Sequence, residues 1–216
     1  MRGTTRNAGR AAQLRALGVT PAVVDVYDAA ALRDSLAASG ARTVIHQLTD
    51  LPRELDPARL AETLARNARM RELGTRNLVA AAVACGAARL IAQSIAFAYA
   101  PGPAPYGEDA PLAIDAEGTR GVSARGVASL ESQVLDAPLV GIVLRYGRLY
   151  GPDTGVEAPP RGVAVHVDAA ADAARRAATR GRRGVYNVAE SDGNVVTTSA
   201  QREFDWNAAF RIDAVS

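Results

Sequence analysis

The chain has 216 residues, 48% of them apolar and 22% charged, with 25 basic against 23 acidic side chains and a formal net charge of +2. That length suits one domain with a sizeable core, and the near-neutral balance without a basic, aromatic-interleaved run argues against a nucleic-acid partner. Stretches of eighteen apolar residues are absent, and the opening MRGTTRNAGR lacks the apolar core of a signal peptide, so the sequence reads as cytoplasmic with no membrane partner. A single cysteine, Cys85, provides neither a disulfide framework nor a metal cluster. Every basic residue is Arg, and Lys does not occur.

In chain order, Thr4-Thr5-Arg6-Asn7 leads into a short helix over residues 8–17, stopped by Gly18. Residues 19–26 form a strand whose early part Pro21 confines to an edge. Asp28 caps a helix over 29–38, and residues 43–48 form the next strand. After a loop with two prolines, Asp56-Pro57 opens a long helix, since a cap followed by proline suits a first turn. Within that helix Leu78, Val79, Ala82 and Val83 make one apolar face, and Cys85-Gly86 ends it. Residues 89–95 are a short apolar run of strand length with Ser94 near its end. This alternation is the βαβ rhythm of a parallel sheet.

Beyond Ser94 the segment PGPAPYGEDAP is a loop, carrying Tyr106 and Glu108. A weakly amphipathic helix over 122–135 precedes a strand over 139–144. Residues 146–161 read as irregular, 163–167 as a short strand, and Asp168 as the cap of a helix over 169–179. A strand over 185–189 and a helical turn over 199–204 follow, with Trp206 and Phe210 packing back on the body.

The segment GTRNLVAAAVACGAARLIAQS resembles the helix and Ser-terminated strand of extended short-chain dehydrogenases, the NAD-dependent epimerase/dehydratase family. Gly74, Thr75, Asn77 and Leu78 carry the match. Downstream, LRYGRLYGP (residues 144–152) is similar to that family's LR-x-x-x-x-YGP, His166-Val167-Asp168 to its HVDD, Gly184-Val185-Tyr186-Asn187-Val188 to its G-x-YN-V, and Asp205-Trp206 to its late GW. The resemblance implies an α/β fold, a Rossmann-like doubly wound parallel sheet with a small C-terminal substrate lobe. The chain is expected to be a single unit, residues 1–145 forming sheet and helices and 146–216 mostly the lobe with its returning strands.

The same resemblance implies NADP or NAD as cofactor and a small-molecule substrate or nucleotide as ligand, with a homodimer as the assembly to look for. Arg6, Asp25, Gln47 and Leu48 fall where the family meets its cofactor. Ser94 and Tyr106 are the candidate catalytic hydroxyls. Glu108, Arg145 and Arg148 are candidate substrate contacts. Metal ligands are not expected. His46 and His166 read as structural.

Two parts of the family's chemistry are missing. No G-x-x-G-x-x-G occurs, so the first strand and its glycine-rich turn, which present backbone N–H groups to a pyrophosphate, are absent. By the resemblance, the chain looks like a family member that begins after the first strand, the first helix and most of the second strand. The proton-transferring Tyr-x-x-x-Lys is absent as well, since the helix expected to carry it reads GVSARGVASLESQVL and the protein has no Lys. The expectation is therefore a shortened or degenerate oxidoreductase-like protein that binds cofactor weakly. The alternatives are a non-catalytic nucleotide- or ligand-binding module and a cofactor-independent enzyme on the same fold. Without a first strand, residues 19–26 are expected to slide across and pair directly with residues 43–48.

Overall fold

The computed structural model describes residues 1–52, 54–190 and 193–212. Strand β4 (Arg89–Ile95) lies inside a four-stranded parallel sheet of order β3-β4-β5-β8, with β3 spanning Thr43–His46, β5 Val140–Tyr146 and β8 Gly184–Val188. Two apolar clusters cover its two faces. On one, Val44, Leu90, Ala92 and Val143 pack with residues of α2 (Ala29–Ala37), α4 (Thr75–Ala84) and α5 (Gly118–Asp136), such as Leu36, Leu78 and Leu130. On the other, Ile91, Ile142 and Leu144 meet Ala169 and Ala173 of α6 (Val167–Ala177) and Phe204 of α7 (Thr198–Phe204). Burial on both faces explains why the central strands read as continuous apolar runs rather than alternating ones. The fold is the doubly wound, Rossmann-like α/β arrangement that the sequence implies.

The long helix is one body with a wide turn in it. Its α3 portion (Leu60–Arg69) passes through a π-helical turn at Met70–Gly74 into α4. A side chain at position 74 would place its Cβ 2.7 Å from Met70 Sδ, so the thioether would have to move aside. A Cβ at Gly126 of α5 would stand 3.0 Å from the Ala68 Cα, so α3 and α5 cross in close contact there.

The expected slide does not occur. Strand β2 is confined to Thr20–Val23 and pairs in parallel with β1 (Arg2–Thr5), in the register Thr5↔Val23. Residues 2–5 are themselves a strand and satisfy the edge of β2, so nothing drives β2 toward β3. The result is a separate two-stranded sheet, and a groove of about 1060 Å³ lies between β1 and β3. Water in that groove can hydrate the open edges, which removes the penalty for unpaired backbone that would have forced the slide.

Smaller corrections have local causes. Helix α6 starts at Val167, so His166 is its cap, its side chain accepting from the Asp168 N–H at 3.2 Å, and Asp168 falls in the first turn. The stretch expected to be irregular contains β6 (Arg148–Tyr150), which pairs with β7 (Ala164–His166). Trp206 is 3% exposed and donates to the Ala169 carbonyl at 2.8 Å, which seats the tail.

Candidate functional site

In open α/β sheets, ligands bind beyond the carboxyl ends of the strands. Here β4 and β5 bring Ser94 and Arg145 side by side in register, and α5 lays Glu131 across them. The Glu131 carboxylate accepts from Ser94 Oγ at 2.7 Å and Arg145 Nε at 2.9 Å through one oxygen, and from Arg145 Nη2 at 2.7 Å through the other. Both charged side chains are nearly inaccessible, at 5% for Arg145 and 7% for Glu131. Burial works against the Arg145 charge, but the Glu131 hydrogen bonds and carboxylate outweigh it and push its pKa up.

From Arg145 the network runs outward. Its Nη1 donates to the Tyr99 hydroxyl and to the Glu108 carbonyl, both at 3.0 Å. Tyr99 donates in turn to Asn187 Oδ1 at 2.6 Å. Asn187 donates from Nδ2 to the carbonyls of Tyr106 and Val196, and its backbone N–H donates to Glu108 Oε1. Tyr106 stacks on Tyr99 with ring centroids 5.1 Å apart, while its hydroxyl donates to the Gly102 carbonyl at 2.8 Å. Burial raises the Tyr99 pKa, with Arg145 opposing it.

Ser94, Tyr106, Glu108 and Arg145 are therefore gathered into one network, and Arg148 is not. Arg148 is exposed, its guanidinium 4.3 Å over the Phe97 ring. The network fixes side chains firmly, and Ser94, at 1% exposure, presents no free hydroxyl. The first turns of α5 carry Arg120 and Arg125, which donate to the carbonyls of Tyr99 and Ile114. Gly121, Ala124 and Val127 are buried on the same helix, so α5 offers β4 neither a phenol nor an amine.

Sequence reading missed two members. Glu131 is an acid among buried Val127, Leu130 and Val134, and an acid on an apolar helix stripe is the signal that could have found it. Asn187 was visible only as part of a motif. Tyr146 ends β5 outside this network with its hydroxyl buried, and burial pushes its pKa up against the opposing influence of the Gln47 side chain.

The cofactor candidates Arg6, Asp25, Gln47 and Leu48 all line the groove between β1 and β3. Arg6 is already paired, donating to Asp50 Oδ1 at 2.7 Å, and Asp25 accepts from the Tyr27 N–H. The groove brings the four together as a candidate place for a dinucleotide. The described residues provide no glycine-rich turn from a strand into a helix, so they do not fit its pyrophosphate. His46 is buried at the end of β3, bonded through Nε2 to Thr75 Oγ1 at 2.8 Å and accepting at Nδ1 from the Leu48 N–H. Burial, then the charge of Arg71, lowers its pKa to about 4. Among the described residues no group of three His, Cys, Asp or Glu side chains could hold a metal, and no helix is long and apolar enough to cross a membrane.

No protein-family model matches the chain. Over 135 residues it is 48% identical to a 3-diazoavenalumate denitrifying reductase of a Streptomyces species, a match spanning 62% of this chain and 44% of that protein. Among solved structures, the UDP-glucose 4-epimerase of Thermotoga maritima superposes with a TM-score of 0.74, at 15% identity, over 97% of this chain and 86% of its own. The ADP-L-glycero-D-manno-heptose-6-epimerase of Helicobacter pylori gives 0.68, at 16% identity, over 97% and 82%. A dTDP-glucose 4,6-dehydratase of Streptomyces venezuelae, solved with NAD, gives 0.65, at 20% identity, over 84% and 62%. In fold, this chain is one with the NAD-dependent epimerases and dehydratases.

Proposed function

We propose that this protein is a reductase of the NAD(P)-dependent epimerase/dehydratase type, acting in the cytoplasm on a substrate whose reduction needs no Tyr–Lys proton donor. The observation that carries this reading is that α5, whose Glu131 reaches Ser94 of β4, contains neither tyrosine nor lysine over its whole length. Reduction of a carbonyl or epimerisation of a sugar requires an acid at the reacting oxygen. Reductive loss of nitrogen from an aryl diazonium, or from the quinone diazide form of one, does not, because hydride forms the new C–H bond while dinitrogen leaves with the electrons of the broken C–N bond. The 48% identical Streptomyces protein is named for a reaction of that kind, which makes a diazo compound the favoured substrate class.

A reduced nicotinamide supplies the hydride equivalent in such chemistry. The residues of this chain contribute the adenosine-side contacts in the groove and a rigid wall formed by Arg145, Glu131 and Tyr99. The cofactor-independent reading finds less support, since the Ser94 and Tyr106 hydroxyls are both held in hydrogen bonds. A non-catalytic ligand-binding role is the second reading, favoured by the lack of a glycine-rich pyrophosphate turn among the described residues. Incubation with millimolar NADPH and a panel of aryl diazonium and quinone diazide compounds separates the two. Dinitrogen release matched by NADPH oxidation is expected. Absence of both above background would leave the binding module standing.

A further inference from the structure

Arg71 stands in the π-helical turn Met70–Gly74, and its guanidinium reaches across to α5. Nη1 donates to Ser123 Oγ at 3.1 Å and to the Ser123 carbonyl at 3.4 Å. Nε and Nη2 have no acceptor among the described residues, and neither is sealed from solvent. One part of the fork is therefore spent on a neutral partner, and the Nε–Nη2 edge is open.

The turn lies where the carboxyl ends of β3 and β4 meet α5. One turn on, Thr75 bonds His46 at the end of β3, while Glu131 of α5 bonds Ser94 of β4. The Arg71 charge acts on this neighbourhood, lowering the His46 pKa and drawing support from Glu131. Open α/β sheets take their ligands at that end, and π-helical turns recur at such places.

The charge itself lacks a counterpart. Other guanidinium groups are matched, Arg145 by Glu131 and Arg176 by Asp172, or gather backbone carbonyls near a helix C-terminus, as Arg89 and Arg183 do. Glu131 already commits both oxygens to Arg145 and Ser94. Glu72, next in the chain, lines a separate groove between α4 and α5. With its pKa at about 4, His46 is neutral at neutral pH. Burial thus prevails at Arg71 and lowers its pKa, whereas at Arg145 the carboxylate prevails. A part-buried cation with neutral partners is costly until an anion meets it.

We propose that the open edge of Arg71 docks a carboxylate of the substrate, Nε and Nη2 each donating to one of its oxygens while Nη1 stays on Ser123. A planar anion with two oxygens fits the fork bidentately, and its single negative charge balances the unmatched positive one. A phosphate brings more charge and more oxygens than one guanidinium edge can serve, and the described residues add no backbone cradle beside it. Ser123 holds the guanidinium in place and is a positioning residue. The inference rests on the reductase reading for the rest of the ligand, and it narrows the substrate to an aryl diazo compound that also bears a carboxylate. Arg71 selects that substrate and takes no part in the hydride step.

Binding and turnover are read separately. Calorimetric titration of the full chain uses 4-hydroxycinnamate, which has no diazo group, and its neutral carboxamide. The acid is expected to bind about tenfold tighter or more, since it adds charge-assisted hydrogen bonds. Arg71→Gln should erase that preference by weakening the acid alone, and Arg76→Gln, an exposed position on α4, should leave it unchanged. Should the glutamine variant not fold, Arg71→Lys decides, with a loss of about threefold or more in acid affinity expected while the amide is unmoved. No preference for the acid in the wild type, or a preference that survives substitution of Arg71, would overturn the proposal. So would competition by inorganic phosphate stronger than by acetate, which would make this a phosphate site. In turnover, a carboxylated aryl diazonium should show a lower KM than its ester, and Arg71→Gln should raise that KM with kcat held. Acid preference without dinitrogen release would sink the reductase reading and leave this inference standing. Dinitrogen release indifferent to the carboxylate would do the reverse.

Discussion

Arg6 and Asp50 are joined by a 2.7 Å hydrogen bond that ties the end of β1 to the loop after β3. Asp50 is itself held in place, its backbone N–H donating to buried Asn67 Oδ1 at 2.9 Å and its carboxylate lying 3.6 Å from Arg66 Nε. The Asp50 hydrogen bond and charge raise the Arg6 pKa, so the guanidinium stays charged but is already neutralised. A ligand phosphate must compete with a carboxylate for the arginine and finds no backbone cradle beside it.

NADPH is therefore expected to bind weakly to this chain. Fluorescence titration should not saturate in the micromolar range, and Asp50→Asn, which releases Arg6, should tighten NADPH more than NADH. A Kd near 1 µM, equivalent to about 8 kcal/mol, would mean that the missing glycine turn is immaterial.

The buried pair of Glu131 and Arg145 predicts non-additive energetics. Removing either partner leaves the other charge buried and uncompensated, a loss of roughly 3–5 kcal/mol, whereas replacing both with apolar residues is far less harmful. Urea denaturation of Glu131→Leu, Arg145→Leu and the double variant should show the double close to the wild type and well above either single. Equal losses that simply add would show that the two side chains act separately.

His46 sets an acid limit on stability. Its folded pKa of about 4 lies below the unfolded value near 6.5, so between these values the unfolded chain holds a proton that the folded chain refuses. Stability therefore rises with pH across that window and falls as pH drops from 6.5 toward 4, by up to about 3 kcal/mol below both values. The His46→Gln variant removes this contribution. Its urea midpoint should fall less than that of the wild type between pH 7 and pH 4.5, and parallel losses would count against the assignment.

Tyr106→Phe is expected to leave any reductase activity within about twofold, because its hydroxyl serves the Gly102 carbonyl and amide in the loop. Abolition of turnover with the fold intact would instead identify Tyr106 as a proton donor and revive hydroxyl-based chemistry.

Much of the fold was legible because its signals are local. Asp28 and Asp56 announce helix starts and do accept backbone N–H groups there, and the apolar run at 90–92 belongs to a strand covered on both faces. The site was legible only in part. Ser94 and Arg145 lie 51 positions apart in the chain, and nothing local tells that register places them together over Glu131. The position of β2 was misread for a related reason. Its partner is a four-residue strand at the very start of the chain, too short to carry a periodic pattern.

The π-helical turn at Met70–Gly74 acts as a phase adjuster between two recognition surfaces on one helix. Upstream, Asn67 must face the loop that holds Asp50, and downstream Thr75 must face His46. An unbroken α-helix advances about 100° per residue, so a single extra residue is enough to rotate one surface relative to the other. Deleting one residue within 70–74 would give a more regular helix and a worse protein. It would turn Thr75 away from His46 and strand a buried imidazole, so the irregular turn keeps both ends of the helix in register with the sheet they serve.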